Sequence, residues 1–348
     1  MIGAQTNPIP LSANEPLVSI VVGTYDRWAY LEESLRGALS QTYQNIEVIV
    51  SDDAGPPEIS ETVQKIADHR IRYRRNPTNL GIGGNYGEAF KLVRGKYFAI
   101  LNDDDLWEPD FLEKLVPPLE ANSELASAFC DHYIIDAEGR IDHHHTNTNS
   151  RRWGRSNLQA GVHRPYFRLA LLSGTFPDAM AAVFRTASAQ LKNFLPESGC
   201  YYSLYVSYLA CRSGLGTYYE PTRLTRYRVH DRMETTSGGL RMATAGIFCY
   251  SKFSDDSNLA PLHPLLRKRL GVNLSEAGIK LLRAGEIGEG VIKLRKGWAI
   301  TKSLRSSLAI AYATFLSLIP PSKRGAVALA GGAFWRSLKS NKLLSLCA

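Results

Sequence analysis

Cysteine is scarce in this chain: Cys130, Cys200, Cys211, Cys249 and Cys347 are all there is in 348 residues, and none forms a C-x-x-C pair. This argues against a disulfide framework and a zinc knuckle, and predicts free thiols in a reducing compartment. No run of about 18 apolar residues occurs, so a spanning helix is disfavoured. The opening MIGAQTNPIPLSANEP has neither the charged nor the apolar part of a secretory leader, and the expected location is cytoplasmic. Acidic residues run short in one region only. Residues 261–348 hold 15 Lys and Arg against Glu276, Glu286 and Glu289, a net +12 in a chain whose total is +8, so the rest carries −4. A basic C-terminal region on an acidic body argues against general nucleic-acid binding and for an anionic membrane surface. A solvated helical surface is the alternative.

Hydrophobic residues make up 44% of the chain and charged residues 21%. That supplies a sizeable core and excludes collagen-like and disordered classes. From Leu17 to about Ile135, short β-branched runs alternate with amphipathic stretches of helix length, the pattern of βαβ units around a mostly parallel sheet. Strands are predicted at Leu17–Val22, Ile46–Ser51, Ile71–Arg74 and Tyr97–Leu101, and helices near Ala29–Leu39, Glu58–Ala67, Gly84–Val93 and Asp110–Leu119. The polar stretch Asp142–Arg155, with His143, His144 and His145, reads as a solvated loop, and metal binding by its histidines is the weaker alternative. A helix is predicted over Ser203–Arg212 and a short strand over Gly216–Glu220, and the chain reads as helical from about Pro261. Leu308–Ile319 is apolar but too short to span a bilayer, which suits an interfacial or bundle-core helix. The division expected is an arm (1–16), a nucleotide-binding half (17–135), an acceptor-side half (136–260) and a basic helical extension (261–348).

In such sheets the ligand crevice lies beyond the carboxyl ends of the strands, and here those ends are polar. The strongest signal is Asn102-Asp103-Asp104-Asp105 after an apolar strand. Adjacent carboxylates repel one another unless a cation or hydrogen-bond donors neutralise them, and hard oxygen ligands favour Mg²⁺ or Mn²⁺. An acidic cap on the next helix is the alternative. The second signal pairs Thr24-Tyr25-Asp26 after the first strand with Asp52-Asp53 after the second. Two neighbouring loops of this kind can clasp a planar base, Tyr by stacking and Asp by accepting from a ring N–H. The third is Asn79-Leu80-Gly81-Ile82-Gly83-Gly84-Asn85. A dinucleotide fingerprint belongs after the first strand and this run follows the third, so an NAD site is rejected. Its glycines either let backbone approach a nucleotide diphosphate or serve a tight turn.

The order V-S-I-V-V-G-T-Y-D-R, E-V-I-V-S-D-D-A, N-L-G-I-G-G-N and G-K-Y-F-A-I-L-N-D-D-D-L-W-E-P resembles the nucleotide-binding half of the family 2 glycosyltransferases, closely over residues 17–135 and more loosely to His230. The resemblance implies a GT-A fold, Rossmann-like with a mixed, mostly parallel sheet flanked by helices. It also implies a nucleotide-sugar donor, a divalent metal and inversion at the anomeric carbon, and the expected pair is a UDP-sugar donor and a lipid-linked or polysaccharide acceptor. By position, Tyr25 would stack on the base, Asp52 would bind its edge and Asp53 would support that loop. Asp103 would sit near the ribose, Asp105 would meet metal and diphosphate, and Asp104 could substitute. Tyr227-Arg228-Val229-His230 resembles a Y-R-x-H segment whose His230 can approach the metal. Where the family usually presents a base Asp before the Ser203–Arg212 helix, this chain has Gly199-Cys200-Tyr201-Tyr202. Glu197 and Asp178 are the nearby candidates for the base. The missing Asp leaves open a nucleotide-sugar-binding protein of this fold without turnover.

Overall fold

The computed structural model describes residues 15–176, 179–231 and 239–319. Two compact units emerge, one running to Phe194 and including Val206–Val229, the other made of Leu195–Tyr205 and the chain from His230. The sequence divisions at 135 and 260 therefore both fall inside a unit.

The first unit opens with β1 (Val18–Thr24), α1 (Trp28–Leu39), β2 (Ile46–Asp52), α2 (Pro57–Ile66), β3 (Ile71–Arg75), α3 (Gly81–Phe90) and β4 (Tyr97–Asn102). These strands pair in parallel in the order β3-β2-β1-β4. Every residue of β1 and β2 is buried, as expected of strands covered on both faces, and so their centres, Ile20-Val21-Val22 and Val48-Ile49-Val50, are apolar at successive positions rather than alternating. Helix α1 packs through Leu31, Ser34, Leu35 and Ala38, one face at helical spacing. Helix α3 starts at Gly81, not at Gly84 as its pattern suggested, because Gly81 takes φ 72° and lets the chain turn straight into the helix.

Next come β5 (Leu106–Trp107), α4 (Phe111–Ala121), β6 (Leu125–Ile135), α5 (His143–Arg152), β7 (Gly161–His163), α6 (Phe167–Leu171), β8 (Ala182–Arg185), α7 (Thr186–Ala189), α8 (Tyr202–Cys211) and β9 (Gly216–Arg228). The sheet continues β4-β8-β6-β9-β5, with β8 antiparallel to β4 and β6, β9 parallel to β6, and β7 beside β9. Two expectations are corrected. The supposed loop at 142–155 contains α5: Asp142 caps it by accepting from His145 N at 2.8 Å, and its buried Thr146 and Ser150 bond Ile134 N at 2.8 Å and Asp131 at 2.6 Å. His143, His144 and His145 are exposed on its first turn. The strand expected at Gly216–Glu220 runs on to Arg228, since its polar second half is held by β6 along one side and by β5 at Leu106 and Trp107 on the other.

In the second unit α9 (Gly239–Asp255), α10 (His263–Arg283), α11 (Ile287–Thr301) and α12 (Leu304–Ser317) follow one another. Helices α10 and α11 approach at glycines: a Cβ on Gly297 would stand 2.7 Å from Gly271 O, and one on Gly278 would stand 2.7 Å from Gly290 O. Leu282, Leu294, Ala309 and Ala313 close a small core between α10, α11 and α12. No helix among the described residues is long and apolar enough to cross a membrane.

Candidate active site at the carboxyl edge of the sheet

The register of the parallel strands sets the site. Thr24 is level with Asp52, Asp52 with Arg75, and Gly23 with Asn102, so the loops after β1, β2 and β4 leave the sheet side by side. Tyr25 and Asp26 are exposed at this edge, Tyr25 at 47%, which leaves the ring open for stacking. Asp52 is fully buried and accepts from Gly55 N at 2.7 Å, Tyr73 Oη at 2.6 Å and Arg75 Nη1. Asp53 accepts from Asn76 Nδ2 at 2.7 Å and Leu80 N at 2.8 Å, tying the β2 loop to the loop before α3. Asn79 is exposed, and its Oδ1 accepts from Gly81 N at 2.8 Å.

Asn85 is placed differently from its sequence-based assignment. It is buried, donating to Ser51 O at 2.8 Å and accepting from Ser51 Oγ at 2.6 Å and Asn76 Nδ2 at 3.1 Å. Its polar atoms are spent on loop geometry, so it shapes the site from beneath. Gly84 is likewise a packing position, where a Cβ would come 2.7 Å from Leu80 Cβ. Gly55 is the tightest point of the edge: a Cβ there would lie 1.9 Å from Tyr25 O. Gly55→Ala must push the Tyr25 loop outward, at about 1–3 kcal/mol for overpacking, and UDP affinity should fall with it. Gly37→Ala is the control, since a Cβ at Gly37 meets nothing closer than 3.9 Å. Thermal melts and UDP titrations of the two variants check this; equal behaviour would show that the loop has slack.

Asp103, Asp104 and Asp105 are all buried. Asp105 accepts from Arg228 N at 2.9 Å and Asn102 Nδ2 at 2.7 Å, while its backbone carbonyl accepts from Ser34 Oγ of α1 at 2.8 Å. Burial, with the Asp104 charge added, pushes the Asp105 carboxyl well above the usual range. Asp103 is pushed up to about 7, chiefly by burial, against the pull of Arg27. Neither Asp103 oxygen receives a hydrogen bond of good geometry, although the Thr24 hydroxyl stands near enough to draw the carboxyl's pKa down against the larger effect of burial. The helix-cap alternative fails here: the residue at the N-cap of α4 is Asp110, and β5 lies between it and the triple.

Two arginines were not singled out by sequence reasoning. Arg27 places Nη2 2.7 Å from Asp103 Oδ1 and Nη1 2.5 Å from Asp104 Oδ2. Arg228, 2% exposed, donates to Asp104 O at 2.8 Å, Ala137 O at 3.0 Å and Glu33 Oε2 at 2.6 Å, and lies over the Tyr30 ring at 4.8 Å. It clamps the aspartate loop between α1 and the end of β6. For Arg27 the available signal was charge, since buried acids need a counter-ion, but a sequence does not say which arginine supplies it; Arg228 stood in the Tyr227–His230 segment, where nothing local shows that its guanidinium turns to the Asp104 carbonyl and Glu33.

His230 follows β9 directly and belongs to the second unit, as does Glu197, which is exposed in the short 3₁₀ segment Pro196–Tyr201. Asp178 lies outside the described residues. Among the described residues no three His, Cys, Asp or Glu side chains converge into a ready cage for a metal ion. The donor set nonetheless fits Mg²⁺ or Mn²⁺, because Asp103 and Asp105 offer buried carboxylate oxygens, those of Asp103 met only by the Arg27 guanidinium and the nearby Thr24 hydroxyl, and Mg²⁺ commonly takes one or two carboxylates and completes its shell with water and phosphate. A separate polar cleft of about 390 Å³ in this unit is lined by Asp131, Tyr133, Arg155, Tyr219 and Arg223. Its charges are already paired, with Arg155 Nε 2.6 Å from Asp131.

The model of the glycosyl transferase family 2 matches residues 19–187. The UDP-Glc:alpha-D-GlcNAc-diphosphoundecaprenol beta-1,3-glucosyltransferase WfaP of Escherichia coli is 32% identical over 118 residues, 34% of this chain and 47% of that protein. The chain's matched segments span 18–50% of the length of such curated relatives. Among solved structures, S. aureus TarS 1-349 in complex with UDP-GlcNAc superposes with a TM-score of 0.62 at 12% identity, covering 85% of this chain and 88% of that one. Mannosyltransferase PcManGT from Pyrobaculum calidifontis, in complex with GDP-Man and Mn2+, gives 0.54 at 17% identity over 92% and 87%. Parallel strands β1 to β4, an acidic triple at their carboxyl edge and a matching family model thus mark residues 19–187 as a glycosyl transferase family 2 segment, in a chain with a GT-A fold and a C-terminal helical region.

Proposed function

We propose that the chain is a metal-dependent, inverting glycosyltransferase that moves a sugar from a nucleotide sugar, a UDP-sugar by preference, to a hydroxyl of a lipid-linked or polysaccharide acceptor at the cytoplasmic face of the membrane. The observation that carries it is the buried Asp103–Asp105 triple set beside the exposed Tyr25 and the Asp52–Asp53 loop. The UDP-Glc of WfaP and the UDP-GlcNAc bound to TarS support a UDP-sugar, and the Mn2+ of PcManGT supports a divalent cation.

In this reading Tyr25 stacks on the base and Asp52, held rigid by Gly55, Tyr73 and Arg75, presents its remaining acceptor capacity to the base edge. Asp26, Asn79 and Gly81 border the nucleotide, and Thr24, Asp53, Gly84 and Asn85 fix the loops around it. Asp103 lies toward the ribose with Asp104 behind it, and Asp105, with Asp103, would hold Mg²⁺ or Mn²⁺. When bound, the cation supplies a Lewis acid that offsets charge on the leaving diphosphate. One in-line displacement by the acceptor hydroxyl inverts the anomeric centre, and Glu197 or Asp178 takes the hydroxyl proton. Incubation of the full chain with Mn²⁺, UDP-glucose or UDP-N-acetylglucosamine and lipid-diphosphate acceptors should release UDP and yield a glycoside of inverted configuration. UDP bound without release from any donor would instead favour a nucleotide-sugar-binding protein lacking turnover.

The membrane part of the proposal rests on the second unit. Ile292, Trp298, Ile300, Leu304 and Phe315 are 38–62% exposed, and Arg295, Lys296 and Lys302 are exposed among them. Lys302 Nζ sits 4.1 Å over the Trp298 ring. Such a mixture suits a headgroup surface, at about 1 kcal/mol per basic residue near anionic lipid plus an apolar part that salt does not screen. The full chain should float with anionic vesicles, float less with neutral ones, and be released only in part by high salt. No flotation with either would turn this face into a protein contact. Trp335, Lys323 and Arg324, which carry the same character, lie outside the described residues.

A further inference from the structure

Sequence reading gave work to Tyr25 and Asp26 in the loop after β1 and none to Arg27. In the structure Arg27 forks across two members of the aspartate triple, at 2.7 Å from Asp103 and 2.5 Å from Asp104, and its own side chain is 21% exposed against 0% and 8% for theirs. Apart from Arg27 and the nearby Thr24 hydroxyl, both Asp103 oxygens are buried without a hydrogen-bond donor. Two adjacent buried carboxylates do not both stay ionised without a cation at hand, and the guanidinium supplies one positive charge from the solvent side.

We infer that Arg27 is the resident counter-ion of the Asp103–Asp104 pair and competes with the divalent cation for Asp103, the carboxylate both would use, so that loading the metal releases Arg27 toward the anionic donor. The inference rests on the metal reading above and names how that site is regulated. Two cations crowded onto the same few oxygens repel each other strongly in a low-dielectric setting, so exchange is favoured over sharing. The loop that carries Arg27 also carries Tyr25, placing the released guanidinium on the side where the nucleotide would stack. A diphosphate then gives Arg27 a new partner, one that a guanidinium fork matches. Metal and nucleotide are thereby linked: each lowers the cost of binding the other, by the same factor in both directions. Metal alone binds weakly because it must evict Arg27 with nothing offered in return.

The test is Mn²⁺ binding by the full chain, read from the electron paramagnetic resonance of free Mn²⁺, with and without UDP. Wild type should bind Mn²⁺ alone weakly and at least tenfold more tightly with UDP. Arg27→Gln should bind Mn²⁺ alone at least tenfold more tightly than wild type, and UDP should then add less. Should the Gln variant lose its melting transition, Arg27→Lys is measured in its place. It keeps the charge without the fork across two carboxylates, and should still bind Mn²⁺ more tightly than wild type. Equal or weaker Mn²⁺ binding by the variants, with wild type still binding Mn²⁺ in the presence of UDP, would reduce Arg27 to a structural clip and leave the metal reading standing. No Mn²⁺ binding by wild type in either condition would overturn both.

Discussion

Asp105→Asn is expected to weaken UDP binding in Mn²⁺ by about 100-fold or more, roughly 2.7 kcal/mol, while leaving UDP affinity in chelator close to that of wild type. The substitution is chosen for its shape. Asp105 accepts from the Arg228 backbone N–H and from Asn102, and truncation to Ala would strand two buried donors at about 1–3 kcal/mol each. Asn keeps an oxygen for the Arg228 N–H and removes the charge, while Asn102 must turn its amide oxygen toward the new NH2, so a melting temperature near that of wild type separates lost metal binding from lost fold. Calorimetry in paired Mn²⁺ and chelator buffers reads both arms. Equal UDP affinity for wild type and variant in Mn²⁺ would withdraw Asp105 from the metal. With the cap of α4 already excluded by geometry, its burial would then serve only to anchor Arg228.

The second large effect concerns the proton of the acceptor hydroxyl. If Glu197 or Asp178 removes it, the amide variant of that residue, Glu197→Gln or Asp178→Asn, should lower kcat by about 10²–10⁴ and leave the KM for the donor nearly unchanged, the signature of a group needed in the transition state and not in donor binding. Glu197 is exposed in its 3₁₀ segment, consistent with a carboxylate that meets an incoming acceptor rather than one locked in the core. Steady-state rates of UDP release with acceptor at saturation compare the two directly. Near-normal turnover in both variants would remove both from the role and send the search to other carboxylates.

How far the site could be read in advance depended on how local its determinants were. The four parallel strands carry their signal within six or seven residues each, and the polar residues after them fall at the crevice by a rule of topology alone. Tyr25, Asp52–Asp53 and Asp103–Asp105 were therefore found as residues. What each one touches was not visible in the same way. Asn85 looked like part of a glycine-rich binding loop and proved to be a buried clip between β1, β2 and the loop at Asn76. Helix α5 looked like a loop because it has almost no apolar side chains; it is held by hydrogen bonds from Thr146 and Ser150 to β6, which no hydrophobic periodicity records.

The sequence by itself determined the class of fold, the chain order of the motifs, the edge at which they meet and the concentration of basic charge in the C-terminal quarter, because strand propensity, helical spacing and charge count are properties of short segments. Only the tertiary structure decided which cations answer the three aspartates. Arg27 reaches Asp104 across 77 residues and Arg228 reaches the same loop across 124. Such pairings are set by strand order, by the β5–β9 contact that brings Arg228 to the loop after β4 and by the cost of leaving buried charge unpaired, all of which come into being only when the sheet closes around the site.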